Sequence, residues 1–452
     1  MNKTKLAKSK NTQFQLIYWG LILLLVVSIL LLRAVPMNSK RYMVSIYDSY
    51  ASARSIFGGY DAGSYLEGAL QLLGINELVF GVSEYPWILW PPGMSVTFYL
   101  LGTIDLFFKH ALLSGVLTQS IAGTAILGTL GRFYSKKFLK SFSIIFALIL
   151  FSPFRDWILG VGLMYGEGPG FAFLVLAFIY MFTTERKIKR DNKSTSTYFR
   201  ALVFFGFLIS GAAYFRSPID ALVLLSLPVF FVYLIMKWRS KSRIDVLLYS
   251  VFYISYFIFT LPWRFIANNK FGVPLTRWTG NGRDTSAAYL SNDQLIGNSQ
   301  NAWANGNINW GCILDSQACG KPSTGTFFDL LVLALQNPVA FFKLRIPQYF
   351  ETMGLPGWEL YPSNGPVNVL QAILYCCFII FVTLKSFKVL KVGKYDLSFL
   401  LALVFFYGNY VIILFTLFES RYLLISTLMG IVIVIQANYL LNAHLKSKYR
   451  NP

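Results

Sequence analysis

The sequence predicts an all-helical protein that crosses a membrane about ten times. Of its 452 residues, 55% are hydrophobic and only 13% are charged, which is too apolar for a soluble chain of this length. Apolar runs of roughly 20 residues, long enough to cross about 30 Å of hydrocarbon as helices, recur along the whole chain. Basic residues cluster in alternate connections between these runs. These observations predict an all-α polytopic membrane protein.

Ten apolar runs are candidates for membrane spans. No Gly/Ser linker divides them, so we predict a single transmembrane domain over residues 1–452. The first run is too long for a signal peptide and lacks its small-residue cleavage site, so we expect it to stay as an anchor. In chain order the runs lie at residues 14–36, 110–131, 139–160, 169–184, 198–215, 217–236, 244–262, 367–387, 397–417 and 421–441.

The basic clusters predict which side of the membrane each connection faces. Of the 40 Lys and Arg residues, 24 lie in six clusters, at residues 3–10, 132–140, 186–193, 237–243, 385–394 and 446–450. The positive-inside rule places these clusters and both termini in the cytoplasm. The net charge of +20 is therefore explained by topology, and it disfavours a nucleic-acid role, which needs a soluble basic face.

Two long segments are then predicted to lie outside the membrane on the other side. Residues 37–109 form the first outer segment, and residues 263–366 form a loop-rich segment that we call the lid segment. Such long connections usually carry function. Neither segment holds an Asn-x-Ser/Thr sequon, which favours the inner (plasma) membrane of a prokaryote, with an extracytoplasmic or periplasmic site.

Each outer segment has local features of its own. The first is predicted to hold a helix at Ala62–Leu73, begun by Asp61, and an interfacial helix at Val96–Phe108 that lies against the membrane surface. The lid segment holds Cys312 and Cys319, which an oxidising compartment would allow to form a short disulfide.

Candidate catalytic groups are carboxylates rather than histidines. The two histidines, His110 and His444, fall near opposite faces of the membrane, which disfavours a His-based zinc site or a Ser-His-Asp triad. Asp61 is either a helix N-cap or a catalytic acid, and capping leaves one carboxylate oxygen free for chemistry. Glu167 lies where the third span emerges outside. A carboxylate so near hydrocarbon marks either a site or a partner for a nearby arginine.

Three arginines lie at outer helix ends, where the positive-inside rule disfavours them: Arg216, Arg264 and Arg421. A guanidinium can grip a phosphate with two parallel hydrogen bonds, so a phosphate ligand would explain their position. The alternatives are snorkelling to lipid headgroups and local salt bridges, such as one between Glu419 and Arg421.

The order of these motifs resembles the GT-C superfamily of membrane glycosyltransferases, nearest to the protein O-mannosyltransferase and aminoarabinose transferase branch. The resemblance covers most of the chain. The matching residues are Asp61 with Tyr65, then Pro91-Pro92, Glu167, Arg216-Ser217-Pro218, Leu261-Pro262-Trp263-Arg264 and Glu419-Ser420-Arg421-Tyr422.

The resemblance implies a polyprenyl-phosphate sugar donor, an acceptor hydroxyl on the extracytoplasmic face and transfer with inversion at the anomeric carbon. It implies that Asp61 is the essential acid, with Glu167 as a second acid. The substrate-binding residues implied are Tyr65, Trp90, Arg216, Arg264, Arg421 and Tyr422. The chain departs from the family at Ala62, where the usual residue is Glu, and at Trp90, where a basic residue is common. The first outer segment has no Asp-x-Asp motif, so no required metal is inferred and a divalent ion is left open.

Two other functions are compatible with the sequence. One is a transporter or flippase for a polyprenol-linked glycan, which would be expected to show paired repeats and ionisable residues near the midplane of the bilayer. The other is an O-antigen polymerase or ligase, which would be expected to rely on arginine-rich outer loops. The placement of the polar candidates at the outer rim favours the transferase. The sequence identifies neither the donor sugar nor the acceptor, which could be lipid A, another glycan, a protein or a small lipid.

Overall fold

The computed structural model describes most of the helical residues of the chain. The described residues are 3–34, 60–72, 74, 87, 90–102, 111–135, 137–150, 166–191, 195–239, 243–273, 275, 335, 338–339, 342, 366–393, 395–414 and 423–450. Among them no residue lies in a β-strand. Most of the lid segment, including Cys312 and Cys319, lies outside the described residues.

The described residues form twelve helices. They are α1 (Lys3–Ala34), α2 (Tyr60–Leu72), α3 (Gly93–Gly102), α4 (Ala111–Tyr134), α5 (Phe138–Leu150), α6 (Glu167–Asp191), α7 (Thr195–Phe215), α8 (Ser217–Arg239), α9 (Arg243–Phe271), α10 (Pro366–Val392), α11 (Leu397–Leu414) and α12 (Leu423–Arg450). Ten of them follow the ten predicted spans in order, while α2 and α3 fall in the first outer segment.

Seven of these helices, α6 to α12, are long and apolar enough to cross a membrane. The apolar parts of α1 and α5, at Gln15–Leu31 and Phe138–Ile149, are shorter than a full span. The structure therefore confirms an all-helical, multi-pass protein suited to a lipid bilayer. The count of ten spans stays a prediction.

The core of the bundle is built from aromatic side chains that join several helices. Phe178 of α6 packs against Phe205 of α7 and Phe405 of α11, with ring centroids 5.4 Å and 5.3 Å apart. Phe205 in turn lies 4.9 Å from Phe252 of α9. Edge-to-face and tilted contacts of this kind are favourable geometries for buried rings. They fix α6, α7, α9 and α11 around one core.

One end of the bundle gathers the predicted cytoplasmic connections, and we call it the basic end. Phe182 near the end of α6 packs against Phe133 of α4 and Tyr439 of α12, at 5.6 Å and 6.1 Å between centroids. Glu185 accepts hydrogen bonds from Tyr198 at the start of α7, at 3.1 Å, and from Ser398 at the start of α11. The ends of α4, α6 and α12 and the starts of α7 and α11 therefore lie at this end.

The helices of the first outer segment differ slightly from the prediction. Helix α2 begins at Tyr60, so Asp61 lies in its first turn rather than before it. Helix α3 begins at Gly93, three residues before the predicted interfacial helix. Helix α9 continues through Phe271, although the lid segment was expected to start at residue 263. Buried hydrogen bonds of Arg264, described below, hold this extra length in the bundle.

Candidate functional site

The end of the bundle opposite the basic end, where α6 and α8 begin and α7 ends, is covered by α2 and α3. Tyr65 of α2 packs against Trp90, which lies just before α3, with ring centroids 5.8 Å apart. Gly68 of α2 lies against Ser95 of α3, where an added Cβ would come within 2.5 Å of the serine Oγ. Because α2 and α3 approach this closely, they act as one unit over the bundle.

Two glycines bring this unit and the start of α6 onto the junction between α7 and α8. A Cβ on Gly93 would lie 2.5 Å from the carbonyl oxygen of Tyr214, and a Cβ on Gly166 would lie 2.4 Å from that of Phe215. Real Cβ atoms do not approach a backbone oxygen so closely, so both positions require glycine. The next residues, Glu167 and Arg216, are thereby brought together.

Glu167 and Arg216 form a buried ion pair. The Oε1 of Glu167 lies 2.8 Å from Nη1 of Arg216, and the two side chains are 0% and 5% exposed. Glu167 opens α6, where its negative charge also interacts favourably with the helix dipole. A buried charge is tolerated when it is paired, and Glu167 is indeed an arginine's partner. A catalytic role for Glu167 stays a prediction.

Arg264 forms a second buried pair, with Asp220 of α8. Its Nη2 donates to Oδ1 of Asp220, and the two side chains are 3% and 5% exposed. Tyr256 of α9 donates to the same carboxylate oxygen. The other two guanidinium nitrogens of Arg264 donate to Thr260 Oγ1 at 3.2 Å and to the Leu275 carbonyl at 3.1 Å. All three nitrogens of Arg264 therefore have protein partners.

The two pairs are close together because one residue of each lies at the start of α8. Arg216 directly precedes the helix and Asp220 follows four residues later, about one helical turn. We call Glu167, Arg216, Asp220 and Arg264 the charged tetrad. It joins α6, α8 and α9 and is neutral overall, because two carboxylates offset two guanidinium groups.

Two tryptophans connect the α2–α3 unit to its surroundings in different ways. Trp87 donates its indole N–H to Gln71 of α2, and its ring lies 5.8 Å from that of Trp263, the residue before Arg264. Trp90 packs against Tyr65 with the two rings tilted, and its indole N–H is buried with no hydrogen-bond partner among the described residues. Trp87 is thus bonded to α2, whereas Trp90 has no such bond within the part of the chain that the structure describes.

The structure brings several of the predicted site residues to one end of the bundle. Glu167, Arg216 and Arg264 meet there, and Tyr65 and Trp90 lie on the unit that covers them. Asp61 lies about one helical turn before Tyr65 in α2. Arg421 and Tyr422 lie outside the described residues, immediately before α12.

Sequence reasoning missed Asp220, Tyr256 and Glu67. The signal for Asp220 was present, because an acid four residues after Arg216 in an apolar run is an intramembrane ionisable residue. Glu67 is a carboxylate of α2 that is only 1% exposed. Its signal was a charged residue within a short helix whose other positions are mostly apolar. Tyr256 had no signal, because a tyrosine in an apolar span is ordinary.

Neither a metal-ligand cluster nor a known relative identifies the site. Among the described residues, no group of three or more His, Cys, Asp or Glu side chains is placed to hold a metal ion. No protein-family model matches the sequence, and no curated protein matches it significantly.

Proposed function

We propose that the protein is an integral membrane glycosyltransferase. It would move a hexosyl or pentosyl group from a polyprenyl-phosphate donor to an acceptor hydroxyl on the extracytoplasmic face, with inversion. One observation carries the proposal: α2, which bears Asp61 in its first turn, is held by α3 over the bundle end that carries the charged tetrad. A candidate base and buried arginines thus share one end of the bundle.

The proposed reaction is a single displacement at the anomeric carbon. The acceptor hydroxyl is a poor nucleophile at neutral pH, so Asp61 accepts its proton as the acceptor oxygen attacks. The bond between the anomeric carbon and the phosphate oxygen breaks, and the sugar is transferred with inverted configuration. The polyprenyl phosphate leaves with added negative charge, which fixed guanidinium groups stabilise.

The charged tetrad refines the roles of the arginines. Arg264 has all three guanidinium nitrogens bonded to protein groups, so we assign it to positioning α9 and the start of the lid segment. Arg216, held in place by Glu167, and Arg421 are then the arginines proposed to contact the phosphate. Glu167 acts through Arg216, because its carboxylate fixes the guanidinium before the ligand arrives.

Sugar transfer by the purified protein tests the proposal. The full chain in lipid nanodiscs would be incubated with undecaprenyl-phosphate glucose, mannose or aminoarabinose and with candidate acceptors. Asp61→Asn should keep the melting temperature and donor binding but lower turnover by roughly 10²- to 10⁴-fold. Glu167→Gln is the comparison variant, since it should lower both the melting temperature and the turnover by leaving Arg216 uncompensated.

Two outcomes would contradict this assignment. Near-normal turnover in a stable Asp61→Asn protein would reduce Asp61 to a residue of the first helical turn. The candidate base would then be Glu167 or Asp48, another acid of the first outer segment. Movement of the intact donor across the membrane of sealed vesicles, with no product formed, would favour a transporter.

A further inference from the structure

Two cations near the basic end lie against neighbouring residues of α12. Lys385 of α10 donates from its Nζ atom to Oδ1 of Asn438, at a distance of 2.8 Å. Arg186 of α6 lies over the ring of the next residue, Tyr439, in a cation–π contact. Both cations are half-buried, and Tyr439 is 42% exposed. The two positive groups therefore line an accessible part of the bundle surface.

These two cations are not paired with any carboxylate in the part of the chain that the structure describes. Neither takes part in a described salt bridge, and Asp396 acts on Arg186 only from beyond salt-bridge distance. A charge so near hydrocarbon is costly and usually has a partner. The positive-inside rule accounts for basic residues at this end, but snorkelling side chains extend into water instead of lying on a neighbouring helix. The two cations therefore point to an anionic ligand.

The positions of the two cations indicate an anion with two charged groups. Asn438 and Tyr439 point in directions about 100° apart around α12, so Lys385 and Arg186 approach this helix from different sides. Asn442 is exposed between those two directions, because it follows both residues by about one turn. The cations therefore flank an open strip of α12, with α10 on one side and α6 on the other. A ligand on this strip meets two separate positive groups.

We propose that this strip of α12 binds the diphosphate headgroup of a cardiolipin-type phospholipid. Its two phosphates match the two cations, and basic pockets between transmembrane helices suit such headgroups. Its acyl chains pack along α10, where Phe381 and Leu384 beside Lys385 are 46% and 56% exposed. The lipid lies in the leaflet at the basic end, which by the charge pattern faces the cytoplasm. The charged tetrad is at the opposite end, so the inference does not depend on the proposed sugar transfer.

The test measures lipid binding by the full chain in phosphatidylcholine nanodiscs. Increasing fractions of cardiolipin should raise the Tm, and the dependence of the Tm on that fraction gives an apparent affinity. Phosphatidylglycerol at twice the molar fraction supplies the same charge with one phosphate per headgroup, and it should raise the Tm less. Lys385→Gln and Arg186→Gln should each weaken the apparent affinity for cardiolipin about 5-fold, as expected for one basic contact. Arg200→Gln removes one exposed charge from α7 at the same end, and it should change that affinity by less than about 2-fold.

Three results would overturn the inference. They are an equal rise of the Tm with phosphatidylglycerol at matched charge, an unchanged affinity in either folded glutamine variant, and an equal loss of affinity in Arg200→Gln. The first and third would show a general attraction between a positive surface and anionic lipid. Because each variant is compared with and without cardiolipin, a lower basal stability does not hide the effect. If Arg186→Gln does not fold, Lys385→Gln still decides, and Lys385→Arg should bind within about 3-fold of the unmodified chain because it keeps the charge.

Discussion

Removing Arg264 tests whether the Asp220–Arg264 pair holds the bundle together. Arg264→Met leaves the Asp220 carboxylate 5% exposed with the hydroxyl of Tyr256 as its remaining described donor. Breaking one side of a buried pair costs about 3–5 kcal/mol, and Asp220→Leu should cost a similar amount by stranding the guanidinium. The double variant removes both charges and leaves mainly hydrogen-bonding groups without partners. Its free energy of unfolding should therefore fall by only about 1–3 kcal/mol. The coupling energy, which is the sum of the two single losses less the loss in the double variant, should therefore be about 3–9 kcal/mol.

Reversible unfolding by SDS in mixed micelles, followed by circular dichroism, would give the four free energies of the cycle. The matched control is the exposed pair Arg190–Asp191, which has a similar contact of 2.6 Å but side chains 76% and 34% exposed. Solvent screens that pair, so its cycle should show no measurable coupling. Additive losses at Asp220 and Arg264, equal to those of the control cycle, would refute the view that burial makes this pair a unit.

Two further predictions concern the membrane bundle. Gln436 of α12 is fully buried, and neither of its amide atoms has a described partner. Gln436→Met should therefore raise the free energy of unfolding by about 1–3 kcal/mol. A lower free energy of unfolding in the same SDS titration would instead reveal a partner for the amide. The basic clusters place Gly282 outside and Lys189 inside. In a chain without its native cysteines, Gly282→Cys should be labelled in intact cells and Lys189→Cys protected, while the reverse result would invert the topology.

The positions of the helices were predictable because hydropathy reports the part of a helix that lies in lipid. The predicted runs at 198–215 and 217–236 end within three residues of α7 and α8. The run at 169–184 is shorter than α6, which continues to Asp191. Its last turns are charged, and a helix continues past the apolar region until its backbone hydrogen bonds end, so hydropathy alone could not locate that boundary.

The pairings within the site depend on helix rotation, which one sequence does not reveal. Glu167 could be recognised as a candidate acid or as an arginine's partner, but only the approach of Gly166 to Phe215 shows that Arg216 is the arginine beside it. At the basic end, Glu185 directly follows the predicted run at 169–184, in a cytoplasmic connection by the charge pattern. It is instead buried, and it accepts bonds from Tyr198 and Ser398. Local charge patterns do not predict such contacts because their partners lie far away in the chain.

The spacing between Arg216 and Asp220 also limits how the gene can change length. One inserted or deleted codon between them would rotate α8 by about 100° relative to Arg216, so both pairs of the charged tetrad could not form together. The lid segment meets no such constraint from the described contacts. Length variation among natural homologues should therefore collect in the lid segment and be absent between these two positions. An arginine and an acid four residues apart, after a glycine-flanked glutamate, would help to identify those homologues.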